Sequence, residues 1–428
     1  MTRGAPAGGA RARGANNVAV FHPGAQHSYE TALAFQEAGR LAWFATSIFF
    51  VPDRWPYRAA AFAPAGLRSR LEYEFRRRHH PELDPALVRT FGVCEWVERI
   101  GMRLGLRRVE HYANQYGNAL FARRVARLAK ADGVDVLWGF DTGSLGAFVD
   151  ARRAGIRCIL EQTIGHPRAW NRILTEEVEK TGPQFDPYPR PYPEADLERV
   201  DAELTLADRI VCGSEFVRRT LIAEGVRDRV IHVVPSGATI PSFSAAQTRS
   251  TGRELRLLFA GHFGMRKGAW YLLDAMRRLK RNDRVTLTIV GKRTVPDRFL
   301  QGFDRISVVP HVSRAAMADI YRQFDLMVLP TLFEGSSIAV FEALGCGLPV
   351  ITTPNAGSVV RDGIEGFIVP VRDSETLASR IELLDADRRR LAAMSAAARK
   401  RALEFPWAAY RRRLVALVDS WHSAQWAA

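Results

Sequence analysis

The apolar positions along this chain come in short unbroken runs, each followed by a turn and then by helical spacing. In the first half the runs are NVAVFHP (17–23), LAWFATSIFFVP (41–52), VDVLWGF (134–140), RCILE (157–161), RIVCGS (209–214) and VIHVVPSG (230–237). Runs this short and this continuous predict strands buried on both faces, as in a parallel sheet. Helical spacing over Tyr29–Ala38, from Ser144, over 194–207 and from Glu215 supplies the crossovers. The second half repeats the rhythm: LRLLFAG (255–261), VTLTIVG (285–291), ISVVP (306–310), DLMVLP (325–330) and PVITT (349–353), with helices from Lys267, over 314–323 and after Ser336 or Ser337. Strand and helix alternating in this way predict α/β folding twice over.

Three stretches break the rhythm. Residues from 53 to about 130 are arginine-rich, aromatic and helical in pattern, with RRRHH at 76–80, and read as an insertion. GPQFDPYPRPYPE (182–194) is too rich in proline for helix or central strand, so it reads as a loop or lid. SFSAAQTRSTGR (242–253) is small and polar and reads as a linker. The expected organisation is a disordered tail over 1–16, a first domain over 17–241, the linker, a second domain over 254–404, and a terminal helix over 405–428. Two open sheets so joined would leave a cleft at their strand ends, where ligands of such folds bind.

Composition narrows the field little. Of 428 residues, 61 are Lys or Arg and 46 Asp or Glu, a net charge of +15. The isoelectric point near 10.2 favours acidic partners such as nucleotides or an anionic lipid surface, and a solvated basic face explains the charge equally. Cys94, Cys158, Cys212 and Cys346 are far apart and form no CxxC, which fits free thiols in a reducing cytoplasm. The N-terminus has basic residues without an apolar core segment, so it does not read as a secretory signal. The 41–52 run falls well short of the ~20 residues that a spanning helix needs.

Two segments carry candidate chemistry. In EGSSIAVFE (334–342), Gly335, Ser336, Ser337 and Ile338 fall where a strand-to-helix turn opens, a ready place for a phosphate. Glu334 then stands in the loop, free to accept from hydroxyls or simply to complement the helix dipole. Glu342 lies about two turns in, suited to a diol or to an arginine partner. In FAGHFGMRKG (259–268), Lys267 precedes a helix and reads as a phosphate contact or a solvated turn lysine. Neither segment has Walker spacing, and no GxGxxG follows the first strand. Asp385-Ala-Asp387 follows no apolar strand and reads as surface, and no zinc spacing is present.

EGSSIAVFE followed by ALGCGLPVITT resembles the E-x7-E segment of the family 4 retaining glycosyltransferases, which have the GT-B fold. LADRIVCGSEFVRRTLIAEGV (206–226), FAGHFGMRKGAWYLLDAMRRL (259–279) and NAGSVVRDGIEGFIVPVRDSETLASRIELL (355–384) are similar to further motifs of that family, in its order. The resemblance is firm over about 205–385 and holds only in outline before that. It implies an enzyme that moves a sugar from a nucleotide-sugar donor, UDP- or GDP-linked, to a hydroxyl of a glycan or lipid-linked acceptor. The anomeric configuration is kept, no metal or other cofactor is needed, and nucleic acid is not a partner. Surface polysaccharide or glycolipid synthesis, on a cytoplasmic protein touching the inner membrane face, is the implied setting.

By position, the resemblance gives Glu334 and the amides of Gly335, Ser336, Ser337 and Ile338 to the sugar and donor phosphates, Glu342 to the ribose, and Lys267 to the departing pyrophosphate. His311 and Val312 would lie near the base, Gly24 in the turn approaching the phosphates or acceptor, and His166 on the acceptor side. For His166 a plain core or surface position is the competing reading. His262 stands where the family has an arginine, which leaves Arg266 to replace that cation, and Ser336-Ser337 stand where Phe-Gly is usual. A sugar-nucleotide epimerase or phosphorylase, or a non-catalytic basic binding protein, are the alternatives. The terminal helix of such folds crosses back to the first domain.

Overall fold

A computed structural model describes residues 17–24, 27–51, 57–58, 66, 75, 78–91, 107–240, 254–310 and 312–423. The expected tail over 1–16, the 242–253 linker, Cys94, His311 and most of the insertion up to residue 106 lie outside the described residues. From that insertion the helix Arg107–Ala131 is described.

The buried runs form strands as their composition demands. In chain order these are β1 (Val18–Phe21), β2 (Leu41–Thr46), β3 (Val88–Thr90), β4 (Val136–Phe140), β5 (Arg157–Gln162), β6 (Arg209–Cys212) and β7 (Ile231–Val233). The second set is β8 (Leu255–Ala260), β9 (Val285–Val290), β10 (Ile306–Val309), β11 (Leu326–Leu329), β12 (Val350–Thr352) and β13 (Gly366–Ile368). Their order is β3-β2-β1-β4-β5-β6-β7 in one sheet and β10-β9-β8-β11-β12-β13 in the other. The recorded pairings are parallel; Val18, Ala19 and Val20 of β1 register with Val136, Leu137 and Trp138 of β4. Both orders reverse direction once, at β1/β4 and at β8/β11, which is the doubly wound Rossmann arrangement. The two-sheet α/β class read from the sequence is the observed one.

The crossovers are α1 (Ser28–Glu37), α2 (Arg107–Ala131), α3 (Leu145–Arg153), α4 (Pro167–Thr181), α5 (Glu194–Leu206), α6 (Glu215–Ala223), α7 (Ala269–Arg278), α8 (Arg314–Arg322) and α9 (Ile338–Gly345). Then follow α10 (Ser374–Ala386), α11 (Arg388–Ala402) and α12 (Trp407–Ser423). Two compact units result. One holds the described residues up to Glu161, with Ala202–Arg209 and those from Arg411 onward; the other holds Gln162–Asp201 and the described residues of Ile210–Tyr410.

In the first unit, α12 lies against the beginning of the chain. Arg411 donates to Glu30 at 2.6 Å and to Glu37 at 2.9 Å, and Arg40 pairs with Asp419. Leu414 and Val418 are fully enclosed, while Trp421 takes the Arg209 guanidinium over its ring at 4.4 Å. The return of the terminal helix to the first domain, expected from the resemblance, is therefore present.

In the second unit the proline-rich segment is pinned rather than loose. Phe185 is fully buried and meets Trp270 and Phe299 edge-on, each at 5.1 Å. Asn171 exchanges hydrogen bonds with the Tyr192 backbone at 2.8 and 2.9 Å. Asp385, read from the sequence as surface, is buried beneath Arg284 and Arg388 at 3.0 and 2.6 Å. Its partners lie in part a hundred residues away, which local pattern does not reveal.

Candidate functional site

At the reversal of the second sheet, β8 runs out into Gly261–Gly268 and β11 into Pro330–Ser337. The two connections are laced together. The Arg266 carbonyl accepts from the amides of Leu332 at 2.9 Å and Phe333 at 3.3 Å, and from the Thr331 hydroxyl at 3.2 Å. Gly268 has φ 74°, and a Cβ there would stand 1.9 Å from the Pro330 carbonyl oxygen, so only glycine permits this approach. The lacing sets the Lys267 ammonium against the Glu334 carboxylate. Arg266 Nη1 donates to Glu334 Oε1 and to the Phe333 carbonyl, each at 3.1 Å.

Burial, and then the neighbouring Arg266, push the Lys267 ammonium down to about 7. The Glu334 contact acts in the opposite sense, because an adjacent carboxylate favours the charged form. Burial also lowers Arg266 and His262 from their ordinary values. His262 Nε2 lies 3.0 Å from Thr294 Oγ1 in the segment that follows β9. Asp186, which sequence reasoning missed, accepts from the Met265 amide at 2.8 Å and so fixes the turn that presents Arg266 and Lys267. Nothing in the sequence around Asp186 signals that partner, 79 residues away.

The other half of the site is the start of α9. Ser337 occupies the N-cap position but its hydroxyl caps nothing. Its amide donates instead to Ala356 O at 3.2 Å, and the Ser336 and Ser337 hydroxyls are buried without a hydrogen bond inside the protein. Buried hydroxyls normally find partners. Two together at a helix start, where the dipole is positive, form a place prepared for an oxygen-rich ligand. Gly335 serves packing: a Cβ would stand 1.8 Å from the Thr163 carbonyl oxygen, and Ser214 Oγ donates to the Gly335 carbonyl at 2.6 Å. Ile338 opens the helix, later than the Ser336 or Ser337 start expected, so Glu342 lies one turn in rather than two, and it accepts from Tyr321 OH at 3.2 Å.

The remaining expected residues fall elsewhere. Val312 is partly buried against the second core. Gly24 belongs to the first unit, where its amide donates to His22 Nδ1 at 3.0 Å. His166 is fully enclosed, and both ring nitrogens are engaged: Nδ1 accepts from the Arg168 amide at 3.2 Å, and Nε2 faces Asp201 at 3.0 Å. Burial lowers its pKa, with Asp201 opposing. The ring is the N-cap of α4, a helix absent from the sequence reading, although His-Pro with proline at the first helical position was its signal.

Residues 254–387 match the family described as glycosyl transferases group 1. The D-inositol 3-phosphate glycosyltransferase of Xylanimonas cellulosilytica is 32% identical over 202 residues, 41% of this chain and 48% of that protein. The protein of that name from Geodermatophilus obscurus is 30% identical over 244 residues, 51% of this chain and 54% of that protein. The chain thus spans about half the length of the curated relatives it matches. Among solved structures, a sucrose-phosphate synthase from Thermosynechococcus elongatus aligns over 95% of this chain and 99% of its own, with TM-score 0.62 at 16% identity. Anabaena HepE, solved with UDP and glucose, aligns over 95% of this chain and 100% of its own, with TM-score 0.58 at 16% identity. The chain is a GT-B relative of the group 1 glycosyl transferases.

Proposed function

We propose that the protein is a retaining glycosyltransferase that moves a sugar from a nucleoside-diphosphate donor to a hydroxyl acceptor. The observation that carries the reading is the convergence of Lys267, Arg266 and Glu334 beside the open start of α9, at the reversal of the second sheet. Lys267 and Arg266 would take up the negative charge that develops on the leaving diphosphate, the largest electrostatic need of such a reaction. The α9 amides and the Ser336 and Ser337 hydroxyls would hold donor phosphate and sugar oxygens. Glu334, now paired with both cations, would exchange them for sugar hydroxyls as the phosphates arrive. Glu342 would accept from the ribose, and the segment at Val312 would lie near the base. His166, enclosed by its own partners, is left out of this assignment.

A UDP-sugar is the preferred donor, since HepE was solved with UDP. The acceptor belongs to a surface polysaccharide or glycolipid, and the net charge of +15 supports contact with an anionic membrane face. Among the described residues no helix is long and apolar enough to cross a membrane.

A panel of UDP-, GDP- and ADP-sugars scored for release of nucleoside diphosphate tests the reading, with the anomer of the product fixed by NMR. Glu334→Gln and Lys267→Ala should each abolish most turnover while the thermal midpoint changes little. Full activity in both would overturn the site, and an inverted product would overturn retention. Failure to pellet with anionic vesicles at low salt would remove the membrane contact.

A further inference from the structure

The proline-rich segment between α4 and α5 carries one group that its own packing does not account for. Asp186 is buried, and its carboxylate joins two distant stretches of chain. Oδ1 accepts from the Tyr188 amide at 3.3 Å, within the segment, and Oδ2 accepts from the Met265 amide at 2.8 Å, 79 residues on. Among the described residues Asp186 makes no ion pair. A buried carboxylate held by neutral amides carries a desolvation cost that an uncharged side chain would avoid.

The Met265 amide opens a single 3-10 turn, Met265–Lys267, which Lys267 N closes on the Gly264 carbonyl at 3.1 Å. The first amide of such a turn has no partner inside it. Gly264 occupies the capping position without a side chain to offer, so Asp186 supplies the cap from outside. Glycine also makes the room: a Cβ at 264 would stand 2.6 Å from Asp186 Oδ2. The carboxylate is steadied from both directions. Phe185 is locked between Trp270 and Phe299 before it, and Trp170 Nε1 donates to the Arg190 carbonyl at 3.3 Å after it. The Trp170 ring in turn lies 5.5 Å from that of Phe333, the neighbour of Glu334.

The first sheet shows a carboxylate given to structure alone. Glu203, fully buried, accepts from the amides of Thr142 and Ser144 at 2.8 Å each and of Leu145 at 3.0 Å, and so seals the start of α3. Asp186 differs in what its amide leads into, because the next two residues are Arg266 and Lys267. Arg266 is fastened a second time, through its carbonyl, to Thr331, Leu332 and Phe333. Lys267 is the cation whose direction depends on the cap.

We propose that Asp186 is a positioning residue of the diphosphate site: by capping the 265–267 turn it aims the Lys267 ammonium at the donor phosphates. This rests on the transferase reading above and adds a residue that acts through Lys267 rather than on the substrate.

The test is a cycle of four full-length proteins: wild type, Asp186→Asn, Lys267→Ala and the double variant. Each is titrated with UDP, and nucleoside-diphosphate release is followed with the sugar donor that turns over in the panel. Asparagine keeps the shape but has a single acceptor oxygen, so one of the two amides faces another N–H. Asp186→Asn alone should raise the UDP Kd about fivefold or more; with Lys267 already removed it should move the Kd less than about twofold, as for two residues acting through one contact. A residue that only supports the fold would weaken binding equally in both backgrounds, whatever it does to the thermal midpoint. Equal losses, or a UDP Kd unchanged by Asp186→Asn, overturn the proposal. If Asp186→Asn does not fold, Gly264→Ala decides. Its backbone is extended, with φ −160°, and the new methyl meets the ends of the Asp186 and Thr294 side chains at 2.6 Å each, so the carboxylate must yield. The same Lys267-dependent loss is expected there, and normal UDP affinity overturns the proposal. A wild-type chain that neither binds UDP nor turns over a donor sinks the transferase reading and this assignment with it. Normal wild-type activity with an additive cycle sinks the Asp186 assignment alone.

Discussion

The same strand order occurs twice in this chain, and the two reversals are furnished in opposite ways. At β8/β11 two cations, Lys267 and Arg266, meet the Glu334 carboxylate next to a helix start whose two hydroxyls make no hydrogen bond inside the protein. At β1/β4 the His27 ring meets the Glu161 carboxylate, and the helix start is sealed by Glu203. Topology supplies a place where backbone amides and strand ends converge. Which ligand that place accepts is decided by whether the chain spends the amides on its own carboxylate or keeps them for something else.

The contrast can be attacked from its cationic side first. Lys267→Ala should lower donor turnover by about 10²–10³-fold, the cost of removing one preorganised charge stabiliser; a tenfold loss or less would mean that Arg266 alone neutralises the diphosphate. On the sealed side, Glu203→Ala strands three buried amides. It should lower the unfolding free energy by at least about 3 kcal/mol in urea, from the usual penalty of about 1–3 kcal/mol per unpaired donor. If stability is unchanged, the seal is incidental and the comparison fails.

A pH series sharpens the cationic side further. Lys267 is lowered to about 7, so below that value its charge is in place, and above it diphosphate binding must take up a proton. UDP affinity should fall about tenfold between pH 7 and 9, a range in which the terminal phosphate, with second pKa about 6, is already ionised. Titration at constant ionic strength reads the slope, and Lys267→Ala should flatten it. The smallest effect belongs to Ser337→Ala. Its hydroxyl makes no bond inside the protein, so stability should change by only about 0.5 kcal/mol while the donor KM rises. A large destabilisation would show that the hydroxyl serves the fold.

The sequence carried the alternation well because buried parallel strands are continuous apolar runs, and β1, β4 and β11 are buried throughout. Glu334 and Lys267 stood out in the sequence because each sits at a turn whose glycines mark it. What escaped were groups whose meaning lies in distant partners. Glu203 seals a helix about 60 residues before it, Asp186 fixes a turn 79 residues after it, and Asp385 answers Arg284 across 101. For His166 the sequence left an acceptor-side and a core position both open: a histidine before Pro167 serves as a cap, and a motif does not distinguish a ring nitrogen that bonds its own backbone from one that faces a ligand. The proline-rich 182–194 segment looked loose because proline removes donors, yet Phe185 anchors it in a core.

The helix α12 has a consequence for the order of events during synthesis. Its residues from Arg411 onward belong to the first unit, where Arg411 reaches Glu30 and Glu37, and Leu414 and Val418 are enclosed. Domains ordinarily fold as they leave the ribosome, the earliest first. Here the unit whose residues emerge first is completed last, and the Arg157 and Arg209 side chains that face Trp421 wait through more than two hundred residues of elongation for it. A nascent chain of this design calls for protection of its opening segment, and early termination would leave the second unit whole and the first one unfinished.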